Sequence, residues 1–129
     1  MNVLVLDDAI AIRSRLAAMF EELPGVRKVI QAGNLAEASD ALRTHAPAVV
    51  IIDLRLRGES GMDFIPRVQR ERPGALVIVL TNEPSERHRS ECRALGVDHF
   101  FDKSRHFDDV LRLVAAATAP TRTVSTSDA

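Results

Sequence analysis

Four strand-like runs of the chain each lead into a side chain able to handle a metal ion or a phosphate. Val3–Leu6 is followed by Asp7 and Asp8, Val49–Ile52 by Asp53, Val77–Leu80 by Thr81, and the run from Val97 to Phe101 is followed two positions on by Lys103. Carboxylates crowded together raise one another's pKa, and a hard divalent cation removes that penalty by binding the oxygens directly. Mg2+ suits such a set, because it is content with a few carboxylates, keeps several waters and commonly serves a phosphate ligand. Lys103 and Thr81 would then hold phosphoryl oxygens that the metal leaves free. A carboxylate surrounded by metal, amine and hydroxyl is equipped for phosphoryl transfer rather than for a hydrolytic triad. Asp53, alone on a central strand between the acid pair and the lysine, is the candidate nucleophile.

These residues meet only if the strands that carry them run parallel, because ligands of open α/β sheets bind beyond the carboxyl ends of the strands. The pattern supports this, with five strand-then-helix repeats whose strands are continuous apolar runs of the kind covered on both faces. Ile12, Leu16, Met19, Phe20 and Leu23 recur at helical spacing before Pro24-Gly25. Residues 27–32 read as a short second strand, and Asn34 with Glu37 resembles a capping box ahead of a stripe of Leu35, Ala38 and Leu42. A flexible loop over 58–61 is expected before a helix from Asp63 to Glu71, with Asp63 as its cap and Pro66 in its first turn. The fourth helix, 83–95 with Pro84 at its start, carries few apolar residues besides Cys92, Ala94 and Leu95 and should be weakly anchored. Phe107, Val110, Leu111 and Val114 mark the last helix. Alternation of this kind means right-handed crossovers and a doubly wound α/β fold.

The length of 129 residues fits one domain, read as 1–117 with a Thr/Ser-rich, disordered tail over 118–129. Seventeen basic against eighteen acidic residues give a formal charge of −1, which argues against direct nucleic-acid binding. The lone Cys92 points to a reducing compartment, and no apolar run approaches the roughly 18 residues of a membrane span, so a cytoplasmic protein is expected. The first turn, Asp-Asp-Ala, has no glycine cradle for a dinucleotide. His45, His88, His99 and His106 share no ligand spacing and read as solvated or locally bonded residues.

Asp7-Asp8, Asp53, Thr81 and Lys103, in this order and each at the end of the appropriate strand, resemble the receiver domain of two-component response regulators. The resemblance covers about residues 2–117. It implies a flavodoxin-like (βα)5 sheet of strand order 2-1-3-4-5, with Asp53 taking a phosphoryl group from a histidine kinase or a histidine phosphotransfer protein. Asp8, Asp53 and the backbone carbonyl of Arg55 would bind Mg2+, and Asp7 would orient its waters. Thr81 and Lys103 would hold phosphoryl oxygens, while Phe100 matches the family's aromatic switch. A downstream protein would then read the fourth helix, fifth strand and fifth helix. Three positions depart from the usual pattern: Ser104 follows Lys103 where proline is frequent, Phe100 lacks the commoner tyrosine hydroxyl, and Asn82 is larger than the usual small residue; Arg55 and Glu83 occupy the two variable flanking positions with opposite charges.

Taken singly, each feature has a plainer meaning. The Asp pair suits a helix start, Thr81 an ordinary strand end, Lys103 a surface amine and Phe100 a core ring. The set of five outweighs them. A self-phosphorylating regulator, not an enzyme in its own right, is the leading reading, acting alone through a partner or by passing phosphate onward. The alternatives are the receiver half of a longer DNA-binding regulator and a small aspartyl-nucleophile phosphatase. Arg55 weighs against the last, because it stands where such phosphatases often keep their acid.

Overall fold

Side chains at alternate strand positions point to opposite sides of a sheet, and here both sides are buried. The computed structural model describes residues 1–82, 85–103 and 107–119. Strands β1 (Asn2–Leu6), β2 (Lys28–Ala32), β3 (Val49–Ile52), β4 (Leu76–Thr81) and β5 (His99–Asp102) form one parallel sheet in the order 2-1-3-4-5. Helices α1 (Ile10–Glu21), α2 (Leu35–His45), α3 (Ile65–Glu71), α4 (Glu86–Ala94) and α5 (Phe107–Thr118) cover it. Leu4, Leu6, Val50, Ile52, Val77 and Val79 meet Ala38 and Leu42 of α2, Ile65 and Val68 of α3 and Cys92 of α4 on one face. Val3, Val5, Val49, Ile51, Ile78 and Leu80 meet Leu16 and Phe20 of α1 and Val110 and Val114 of α5 on the other. This is the flavodoxin-like arrangement expected from the sequence.

Several boundaries differ from expectation for local reasons. Ser60, not Asp63, caps the start of the third helical segment: its hydroxyl accepts from Met62 N at 3.2 Å and opens a 3-10 turn over Gly61–Phe64, with Pro66 in the first turn of α3 behind it. The fourth helix begins at Glu86, with the Ser85 hydroxyl accepting from His88 N, while Glu83 and Pro84 lie outside the described residues. Strand β5 starts at His99 because Val97 still belongs to the end of α4. Gly96 (φ 81°) and Val97 donate to Arg93 O and Cys92 O, the Schellman closure that leaves Val97 outside the ladder. Helix α5 continues through Thr118, whose hydroxyl donates to Val114 O at 2.7 Å, so this residue ends the helix rather than opening a tail. Residues 120–129 lie outside the described residues. The loop expected over 58–61 belongs to a two-residue hairpin, Arg55–Leu56 paired antiparallel with Glu59–Ser60.

Among the described residues, no helix is long and apolar enough to cross a membrane.

Candidate functional site

Parallel strands of matched register deliver their last residues to one edge. The ladder runs one residue past each strand: Asp7 N donates to Ala32 O, Asp53 N to Leu6 O, and Lys103 N to Thr81 O at 2.8 Å. These bonds fix the backbone under Asp7, Asp53 and Lys103, and all three side chains are buried, as is that of Thr81.

The Lys103 ammonium pairs with Asp7 Oδ2 and, at 3.1 Å, with Asp53 Oδ2. Every carboxylate of the site is also held by a backbone amide. Asp7 Oδ1 accepts from Ala9 N at 2.9 Å, Asp53 Oδ1 from Arg55 N at 3.1 Å, and Asp8 Oδ2 from Arg57 N at 2.6 Å. The plain reading of the Asp pair is thus partly met, since Asp7 does secure the turn into α1 while it faces the lysine. Arg13 braces that turn, donating through Nη1 to the Asp7 carbonyl at 2.7 Å and through Nε to Gln31 Oε1 on β2.

Electrostatics follow from burial. Desolvation pushes the Asp53 carboxyl above its ordinary range, with the Asp7 charge adding to the rise and Lys103 opposing it. Burial by itself would lower Lys103, but the hydrogen bond to Asp7 and the charges of Asp53 and Asp7 outweigh it and hold the ammonium above its ordinary value. Oxygens of Asp7, Asp8 and Asp53 lie within 4.8 Å of one another. Three carboxylates against one ammonium leave this group formally at −2, and all the ligand atoms are hard oxygens. The donor set therefore fits a hard divalent cation.

The carboxylates open on a cleft of about 280 Å³ lined by Asp8, Ala9, Ile12, Asp53, Arg55, Asn82 and Lys103. Arg55 and Asn82 are exposed at its rim, whereas Glu83, Ser104 and His106 lie outside the described residues. Phe100 is half-buried on the α2–α3–α4 side of the sheet, and the Arg89 guanidinium of α4 lies 4.6 Å from its ring centroid. His99 stacks on Phe101 at 6.0 Å. His88 departs from the solvated reading, because its Nδ1 is shielded from water and finds no hydrogen-bond partner among the described residues.

Residues 3–115 match the family model of the response regulator receiver domain. The chain belongs to that family. Among solved structures, this receiver superimposes with a TM-score of 0.83 on the signal receiver domain of a DNA-binding response regulator from Colwellia psychrerythraea, 25% identical, covering 90% of this chain and 96% of that one. A response regulator from Burkholderia pseudomallei, solved with a phosphorylated aspartic acid, calcium ion and citrate, is 26% identical with a TM-score of 0.81 over 88% of this chain and 65% of that one. A protein-glutamate methylesterase/protein-glutamine glutaminase from Agrobacterium fabrum is 35% identical over 78 residues, which is 60% of this chain and 22% of that protein. The receiver thus spans only part of the length of such curated relatives.

Three supports of the receiver site were missed by the sequence reading. The Arg57 amide acts through a backbone atom, on which side-chain type gives no hold, and the Arg13 guanidinium reaches the Asp7 carbonyl and Gln31 Oε1, partners that no spacing in the sequence marks. Gly61 had a signal in its residue type: a Cβ there would lie 2.2 Å from Asp53 O and 2.8 Å from Ile52 Cγ2, so the loop returns against the backbone carbonyl of Asp53.

Proposed function

We propose that this receiver takes a phosphoryl group onto Asp53 from a phosphohistidine of a histidine kinase or phosphotransfer protein. The observation that carries the reading is the buried contact of one ammonium, Lys103, with both Asp7 and Asp53 beside a third carboxylate. An Asp53 carboxylate oxygen attacks phosphorus, the P–O bond forms as the P–N bond breaks, and the electron pair leaves on the imidazole nitrogen, which takes up a proton. Burial prepares Asp53 for this role by stripping its water and weakening its hold on the ionised form. Lys103 exchanges its Asp53 oxygen for a phosphoryl oxygen, and the Thr81 hydroxyl donates to another. Asp8, Asp53 and the carbonyl of Arg55 would hold Mg2+ with Asp7 orienting its waters, and the cation would supply charge neutralisation for the transferring group. The Burkholderia relative, with its phosphorylated aspartic acid and calcium ion, supports both halves of this reading.

The output side is the surface of α4, β5 and α5. Helix α4 buries Cys92 as its one fully covered residue among those described and covers Phe100 through Arg89, so a shift of Thr81 that draws Phe100 inward would release a lightly held helix. A protein partner reads that change. We place no turnover chemistry in the domain itself, because Arg55 occupies the position where a phosphatase of related fold would carry its acid. In a longer chain the same switch would act on an attached output domain, and the length of the open reading frame decides between these arrangements.

Incubation with acetyl phosphate and Mg2+, read by intact mass, tests the assignment. A single phosphoryl adduct is expected in the parent and none in Asp53→Ala. No adduct in the parent, or an adduct that persists in the variant, overturns it.

A further inference from the structure

We infer that the backbone amide of Arg57 is a positioning group for the Asp8 carboxylate, presented by a hairpin that holds it in place. The inference rests on the reading of Asp8 as a Mg2+ ligand. Arg57 N donates to Asp8 Oδ2 at 2.6 Å across 49 positions of sequence. A carboxylate is planar, so fixing one oxygen also fixes the direction of the other, and Asp8 meets a cation with its orientation already set.

The donor is itself anchored on three sides. Leu56 is buried, Gly61 N donates to Leu54 O at 2.9 Å, and the Glu59 carboxylate accepts from Leu35 N at 3.0 Å, tying the hairpin to the start of α2. The turn between the paired strands is Arg57-Gly58. Gly58 has φ 73°, and Ala46 is the non-glycine residue with positive φ among those described, so Arg57 has negative φ. Negative then positive φ is the type II pattern, whose second position accepts proline readily. Proline at 57 would keep the turn and delete the N–H, a substitution that isolates one hydrogen bond. Partners of this kind that orient metal ligands are typically worth about 10–100-fold in metal affinity.

Calorimetric titration with MgCl2, without phosphodonor, compares the parent with Arg57→Pro and Arg57→Ala. Arg57→Pro is expected to bind about 10-fold more weakly or worse, and Arg57→Ala, which keeps the amide, to restore parental affinity. Parental affinity in Arg57→Pro, or an equal loss in both variants, overturns the inference while leaving the Mg2+ reading intact. A parent that binds no Mg2+ removes that reading and this inference with it. Should Arg57→Pro fail to fold, the Arg57 amide of the parent decides: slow hydrogen exchange that is lost in Asp8→Ala supports the contact, and fast exchange in the parent overturns it.

Discussion

Lys103 holds two buried carboxylates together, and under the proposed function it would give one of them up during phosphorylation, so the two demands pull against each other. Removing its charge tests the first. Breaking one partner out of a buried ion-pair group typically costs about 3–5 kcal/mol, so Lys103→Met in metal-free buffer at pH 7 should lose stability on that order in urea denaturation followed by circular dichroism. Acidification should narrow the gap. Asp53 titrates above its unfolded value, so its charged form costs the fold stability, and protonation relieves that cost as pH falls through the raised pKa. The parent should show the opposite edge at high pH. Lys103 is also raised, so its stabilising charge is complete below the unfolded value of about 10.4 and is lost as pH climbs through the folded one. That alkaline loss should be absent from Lys103→Met. At Gly61 the test is steric: Gly61→Ala should cost about 1–3 kcal/mol and slow phosphorylation by displacing the Asp53 carbonyl, measured by denaturation and by adduct formation with acetyl phosphate. Asp7, Asp8, Asp53, Thr81 and Lys103 could be singled out in the sequence because their side-chain types suit the proposed chemistry and strand ends order them. The amide donors that aim them could not, because every residue but proline carries an N–H.

Elements that frame the site differ in how firmly they are held. Strands β1, β3 and β4 are buried on both faces, whereas α4 is exposed along most of its length with Cys92 as its buried anchor. Native-state hydrogen exchange should therefore find α4 opening well before the central strands, with protection in α4 close to that of the strands as the contrary result. Helix α4 also owes its start to one hydroxyl, and Ser85→Ala should cost about 1 kcal/mol. The pair of Arg89 and Phe100 links this helix to β5. A double-mutant cycle of Arg89→Ala and Phe100→Leu should return a coupling of about 0.5–1 kcal/mol, and a coupling near zero would remove the ring contact as a tether. Low apolar content announced the weak anchoring of α4 in the sequence. The start at Glu86 was harder to read, since Pro84 and Ser85 are both good first-turn signals and only the Ser85 hydroxyl on His88 N separates cap from helix.

At the scale of the molecule, the strand order was implied only by the resemblance to receiver domains. Strand and helix placement was readable because a doubly covered parallel sheet demands long apolar runs, and Val3–Leu6, Val49–Ile52 and Val77–Leu80 have no other use for theirs. The hairpin after β3 was not, because Arg-Leu-Arg-Gly-Glu-Ser has no apolar alternation and its pairing is a matter of backbone turn geometry. The two core clusters share no residue, with Leu4 and Leu6 on one side of the sheet and Val3 and Val5 on the other. Ile65→Val and Ile51→Val, one in each cluster, should each cost about 1 kcal/mol and add to within about 0.5 kcal/mol in denaturation experiments. A larger discrepancy would mean that the sheet transmits packing between its faces. Phe100 belongs with one cluster and Phe101 with the other, so neighbouring rings of β5 answer to different neighbourhoods. If the two substitutions prove additive, buried residues on the α1–α5 side can change over generations without disturbing the packing of the side that carries Phe100 and α4. A lineage could thereby acquire new upstream or downstream acquaintances by altering one side at a time, with the acidic edge between them left as inherited.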